Sequence, residues 1–179
     1  MKKHCVFLLL ALFVIGGLSA CKEEEPMPQG ECGSNLQIDW NSYAYAPTPH
    51  TLAIPPTLPQ TMPIPPDNPL TEEGIALGRK LFYDPILSAD STQSCASCHG
   101  IEFAFTDHGK RFSTGIDNIE GNRNSMAIIN LGWTNRLFWD GRANGLEDQA
   151  LQPVTNPVER HNTWENAVCD LMNSLQYRI

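Results

Sequence analysis

The chain has 179 residues, of which 41% are apolar and 18% charged, enough for one ordinary domain with extensions. Its formal net charge is −8. A chain this acidic lacks the basic face that nucleic-acid phosphates require, which speaks against nucleic acid as a partner.

Residues 1–20 read as an export signal. Lys2 and Lys3 form a positive n-region, Val6 to Leu18 an apolar h-region, and Ser19 and Ala20 are small. The stretch is too short and wrongly flanked for a spanning helix. Leu18-Ser19-Ala20-Cys21 resembles the lipobox of bacterial lipoproteins, which implies cleavage before Cys21 and acylation of that cysteine. An ordinary signal peptide ending at a chance cysteine is the alternative. Cleavage removes two lysines and no acid, so the mature chain carries 10 basic and 20 acidic residues, a net charge of −10. Such a surface suits a basic redox partner, and equally a merely soluble protein. Lys22-Glu23-Glu24-Glu25 reads as a solvated tether, and it also resembles the surface-export signals of some bacterial lipoproteins. The expected location is a bacterial membrane, with the protein held by lipid and facing the periplasm or the cell surface.

Residues 21–67 are tail-like, with ten of the 14 prolines. Proline removes backbone donors and favours extended polyproline II, so an acidic, Pro-rich, semi-rigid spacer is expected here. Trp40, Tyr43 and Tyr45 are the residues within it able to dock on the globular part.

The folded part is expected from residue 68 to residue 179, and it reads as mainly α. Thr71 is a good N-cap, followed by Glu72 and Glu73 at the positive end of a first helix. Ile75, Gly78 and Phe82 share one face, with Leu77 and Leu81 beside it, and Pro85 ends the helix. From Gly100 to Arg142 the chain is rich in Gly, Asn and Asp and reads as loop, with only weak strand signals. That is much loop for a compact domain, so something else must organise it. A second helix is signalled by Asn144 with Glu147 three residues on, a capping-box pattern, and stops at Pro153. A third starts at Asn162, with Glu165 at the third position and an apolar stripe of Trp164, Val168, Leu171, Met172 and Leu175.

The loop opens on Cys95-Ala96-Ser97-Cys98-His99. A c-type haem attaches through two cysteine sulfurs, with the following histidine ligating iron from one face. One short turn presents all three groups to the same side. A structural zinc needs four ligands, and no second cysteine pair stands in the chain. A thioredoxin-like pair expects a βαβ setting, and a plain disulfide has no need of His99. The residues therefore read as one covalent haem c on Cys95, Cys98 and His99. Cys32 and Cys169 remain, and an exported compartment permits them to pair. They are equally readable as a free tail cysteine and a small core residue.

The surroundings narrow this further. The run "NPLTEEGIALGRKLFYDPILSADSTQSCASCH", then "FAFTD", then "GNRNSMAIINLGWTNRLFWDGRANGLEDQALQPVTNPVE" resembles the bacterial di-haem cytochrome c peroxidases, which include the MauG-type enzymes. The likeness spans roughly residues 68 to 175. It implies a cytochrome c-like helical domain carrying the N-terminal, peroxidatic haem, with a second domain whose haem receives electrons from a small donor protein. Position by position it makes His99 the proximal iron ligand, Glu159 the catalytic glutamate and Gln149 a distal glutamine. Trp139 takes the place of a tryptophan between the two haems, and Asn124 that of a residue contributing to calcium. Each also has a bland reading, as core aromatic, helix surface, solvated loop acid or turn residue. The substrate implied is hydrogen peroxide. Its cleavage requires one oxygen to lose a proton and the departing one to gain it, and a carboxylate within reach of both can do this.

Two features depart from the family pattern. No second Cys-x-x-Cys-His stands in the sequence. The expectation is that the chain is a fragment. A second haem on another chain, or a true single-haem protein, are the other readings. The segment Thr114-Gly115-Ile116-Asp117, where some members carry a distal histidine cap, contains none, and His108 reads as a surface loop residue. Two further classes of function remain open on the residues: a single-haem electron-transfer lipoprotein with Met126 or Met172 as sixth ligand, and a non-catalytic haem-binding module.

Overall fold

The computed structural model describes residues 46–177. The expected signal peptide, Cys21, Cys32, Trp40, Tyr43 and Tyr45 lie outside the described residues.

Among the described residues three α-helices form: α1 (Glu72–Tyr83), α2 (Leu146–Thr155) and α3 (Trp164–Asn173). Single 3₁₀ turns stand at Pro85–Leu87, Cys95–Ser97, Ile101–Phe103 and Leu131–Trp133. Among the described residues there is no strand, only isolated bridges such as Gly100–Thr106 and Leu137–Ala143. The mainly α class is as expected, and so is the loop character of 100–142.

Local chemistry sets the helix ends. Thr71 Oγ1 accepts from the Gly74 N–H at 3.0 Å, closing the first turn of α1, and Glu72 and Glu73 stand at its positive end. Asp84 leaves the helix in extended conformation just before Pro85, where a preceding residue is pushed out of the α region.

The other two helices correct the sequence reading in detail. Pro153 lies inside α2, which runs on to Thr155. A proline in the last turn forfeits only one backbone bond. It is Asn156, made extended by the proline after it, that stops the helix. At the start of α2, Gly145 takes the cap position with φ 113°, and Asp148 rather than Glu147 reaches back, accepting from the Asn144 N–H at 2.9 Å. Glu147 instead accepts from the Asn68 side chain at 2.6 Å. Helix α3 is capped by Thr163, not Asn162, with its hydroxyl accepting from the Asn166 N–H at 3.2 Å. Asn162 is buried and donates to the Leu87 carbonyl, tying α3 to the Pro85–Leu87 turn. The expected stripe of α3 is only partly inward: Ala167 and Cys169 are its buried residues, Val168 is exposed, and Leu175 lies beyond the helix.

The apolar core is small: Leu137, Ala143, Val154, Ala167 and Cys169. Cys169 is disulfide-bonded, with its partner outside the described residues. Helix α1 packs against both the Cys95–Ser97 and Pro85–Leu87 turns yet buries none of its residues fully. Its C-terminal end is fastened by Lys80, which donates to the Gln176 carbonyl and lies over the Tyr177 ring.

Residues 48–62, expected within the spacer, lie against the body. The Thr48 N–H and hydroxyl both donate to the Glu73 carboxylate at 2.9 Å, and His50 pairs with Glu72 at 2.8 Å. Further on, the Trp133 indole N–H reaches the carbonyls of Pro59 and Thr61 at 3.0 Å, and Met62 fills the space beside Gly132.

Candidate haem-attachment site

The pattern at 95–99 folds into one tight turn. The N–H groups of Cys98 and His99 both donate to the Cys95 carbonyl, at 3.2 and 3.1 Å. Ser94 and Ser97 cap each other around it. Both cysteines are free thiols. Burial pushes the Cys98 thiol above its ordinary range, and the neighbouring carboxylates of Asp107 and Glu159 add to that.

His99 is oriented by its Nδ1 edge. That nitrogen stands 3.0 Å from the Phe105 carbonyl and 3.2 Å from Ser125 Oγ, while the Ser125 hydroxyl donates to the Cys98 carbonyl at 2.9 Å. A carbonyl can only accept, so Nδ1 carries the proton and Nε2 keeps its lone pair. Second-partner bonding of this kind prepares a metal-ligating imidazole. Close by, a largely apolar cleft of about 550 Å³, with Arg79 as its one charged wall, opens between α1 (Gly78, Arg79, Phe82, Tyr83) and Ile101, Phe105 and Ile128; Phe105 joins it to His99. Two free thiols and a bare imidazole nitrogen on one turn, beside apolar walls, fit a covalently held haem.

A second turn, 156–161, is folded onto this one. The Asn156 side chain donates from Nδ2 to Glu159 Oε1 at 2.8 Å, and its Oδ1 accepts from the Val158 N–H at 3.0 Å. The Asn156 carbonyl accepts from the N–H groups of Glu159 and His161. Four bonds from one residue thus hold the Glu159 carboxylate by one oxygen and leave Oε2 uncommitted. The next residue, Arg160, is buried and donates to Cys95 Sγ at 2.7 Å.

The 114–117 segment backs the same turn. Ile116 N–H donates to the Glu159 carbonyl at 3.0 Å, and Asp117 pairs with His161. Gly115 is packed so closely that an added Cβ would fall 2.1 Å from the Val158 carbonyl oxygen.

Trp139 and Asn124 are neighbours elsewhere. The Trp139 indole N–H donates to the Asn124 carbonyl at 2.8 Å, and the Trp139 side chain is largely exposed. The Asn124 amide donates to the carbonyls of Lys110 and Arg111, leaving its oxygen without a bond. Asp140, between Arg123 and Arg142, pins this loop, and Arg142 stacks on Phe138 at 3.4 Å. Gln149 is half-buried on α2, and its side chain makes no hydrogen bond among the described residues. The structure therefore brings Glu159 to the cysteine turn and Trp139 to Asn124, and joins neither Gln149 nor Trp139 to Glu159. His108 is exposed, with its ring against Phe103. Among the described residues no cluster of three His, Cys, Asp or Glu is arranged to hold a metal ion.

Asn156 and Ser125 lie within the quoted stretches without a role read for them there, and Arg160 lies one residue past them. For Asn156 a signal existed, since Asn before Pro starts turns through its side chain. For the other two none did.

Fold and site together define a small helical domain built to carry haem c. A family model described as di-haem cytochrome c peroxidase matches residues 72–179, and the chain belongs to that family. The methylamine utilization protein MauG of Methylorubrum extorquens is 39% identical over 110 residues, covering 62% of this chain and 31% of that protein. The cytochrome c peroxidase Ccp of Escherichia coli is 38% identical over 117 residues, 65% of this chain and 25% of that protein. Among solved structures, a MauG-like protein associated with microbial copper homeostasis is 38% identical with a TM-score of 0.61, covering 70% of this chain and 38% of that one. The diheme peroxidase BthA of Burkholderia thailandensis gives 26% identity and a TM-score of 0.54, over 63% of this chain and 33% of that one. The chain thus spans about a third or less of these two curated relatives. Family membership implies a haem c cofactor.

Proposed function

We propose that residues 68–179 form a peroxidatic domain that carries one haem c and cleaves hydrogen peroxide, with electrons supplied by a small redox protein through a second haem outside this chain. The observation that carries this reading is the Glu159 carboxylate, clamped at Oε1 by Asn156 beside the cysteine turn. Haem, when bound, would supply the redox chemistry and the site at which peroxide reacts. Cys95 and Cys98 would hold it covalently, and His99 would ligate the iron through the Nε2 that its Phe105 bond leaves bare. Glu159 Oε2 takes the proton from one peroxide oxygen and returns it to the departing one. Asn156 keeps that oxygen aimed while donating to the other. Gln149 donates a hydrogen bond to peroxide or to a water from the flank of α2, and Trp139 stands on the route from the electron-supplying domain. Asn124 contributes its unbonded side-chain oxygen to a calcium ion between domains. The segment 114–117 carries no histidine and is tied to the Glu159 turn, so it would offer a bound haem no imidazole cap.

Cys21 carries the lipid that holds the protein to the membrane. Its support is the sequence of residues 1–21 alone.

Glu159→Gln tests the chemistry. It preserves shape and removes the base, so rapid mixing with peroxide should show a reaction slower by roughly 10²–10⁴-fold, with haem attachment intact. An unchanged rate removes Glu159 from catalysis.

A further inference from the structure

Arg160 has no place in the chemistry above, yet its position is unusual. The residue is 6% exposed. Its guanidinium has one side-chain partner among the described residues, the Sγ of Cys95 at 2.7 Å. No carboxylate among them lies within 4.0 Å of it: the described ion pairs are His50–Glu72, Lys110–Asp107, Arg123–Asp140, Arg142–Asp140 and His161–Asp117, and the buried Asp107 goes to Lys110. Its backbone is fixed as well, because the Arg160 carbonyl accepts from the Ala89 N–H at 3.0 Å. Arginine keeps its charge throughout the physiological range. Burying such a charge without a counter-ion is unfavourable.

The sulfur it touches indicates what it acts on. Cys95 Sγ is one of the two atoms through which haem would be bonded, so with haem attached a positive charge would stand beside that thioether link. We propose that Arg160 is a positioning residue for charge that sets the haem reduction potential: its guanidinium, held against Cys95, favours the reduced state. The couple concerned is the one-electron ferric/ferrous couple. Reduction adds one negative charge near a buried cation, and in a low-dielectric site that attraction is weakly screened. Removing the cation should therefore lower the potential. The inference rests on haem attachment at Cys95 and is independent of the role given to Glu159.

The test is a spectroelectrochemical titration of the haem-loaded full chain, with soluble mediators supplying and removing the electron. Three variants separate charge from contact. Arg160→Met removes charge and donor but keeps an extended side chain. Arg160→Gln keeps an N–H donor without charge. Arg160→Lys keeps the charge. The expected result is a lower midpoint potential in Arg160→Met and Arg160→Gln, with Arg160→Lys near wild type. An unchanged or raised potential in both neutral variants overturns the proposal. So does an equal fall in all three, which would assign the effect to packing. Covalent haem is checked first by staining after denaturation. Loss of attachment in all three variants would make Arg160 a folding residue and likewise overturn the idea.

Discussion

Asn156 shows how one side chain can prepare another. Its amide spends the N–H on Glu159 Oε1 and the oxygen on the Val158 N–H, so the turn and the carboxylate are fixed together. Asn156→Asp separates these two jobs. The aspartate keeps an acceptor for Val158 and loses the donor to Glu159. Two carboxylates then share the turn, and each disfavours the ionised form of the other. The expected outcome is a peroxide reaction slowed at neutral pH, with its pH–rate profile displaced upward. Each unit of displacement costs about tenfold in rate below the midpoint. Stopped-flow rates across pH check this. A rate loss without displacement would mean that Asn156 only supports the backbone. Residues of this kind mark the boundary of what the sequence conveys. The cysteine turn was legible because three chemical groups recur at fixed spacing. Arg160 was not, because an arginine destined for burial against a sulfur looks like any surface arginine until the chain folds.

Among the elements, the loop around Trp139 is closed at its base by the buried, bridged Leu137 and Ala143, and is held further out by charge. Asp140 accepts from Arg123 at 2.7 Å and from Arg142 at 3.1 Å. Hydrogen bonding from Arg123, joined by Arg142, lowers the Asp140 carboxyl from its ordinary 3.8 to about 2. A carboxyl lowered by folding contributes stability above its ordinary value and loses it as pH falls through the folded one. Asp140→Asn should therefore unfold at a lower temperature than wild type at pH 7. The difference should shrink below about 3.8 and close as pH falls through about 2, where wild-type Asp140 itself takes up its proton. The effect is small, since these groups are exposed, and thermal scans at several pH values measure it. A difference that persists unchanged at the lowest pH would show that the ion pairs do not hold this loop. The helices were legible to within a residue or two where a cap acts alone, as at Thr71. They were misread where two candidates compete. Asn162 and Thr163 both cap helices well, and burial of Asn162 against Leu87 leaves the cap to Thr163. Pro153 stands too near the end of α2 to break it. The docking of 48–62 was not legible, because its bonds reach Glu72, Glu73 and Trp133 across distances in sequence that no local pattern records.

At the scale of the whole molecule, the proposed lipid anchor and the proposed haem site are tested separately. If Cys21 is acylated, the mature protein partitions with membranes and into detergent, and Cys21→Ser releases it or blocks its processing. Wild-type protein found wholly in the soluble fraction would refute the anchor. The attachment of haem is tested by acid-solvent extraction, which should leave haem on the wild-type chain and find none on the Cys95→Ala, Cys98→Ala double variant. The central claim is that His99 holds the iron from one side while the other side stays open before any reduction. The resting ferric absorption spectrum of the haem-loaded chain tests it most directly. The expected spectrum is that of five-coordinate or weakly water-ligated iron, whose haem band changes promptly when peroxide is added. A resting spectrum of two strong axial ligands, unmoved by peroxide, would contradict it.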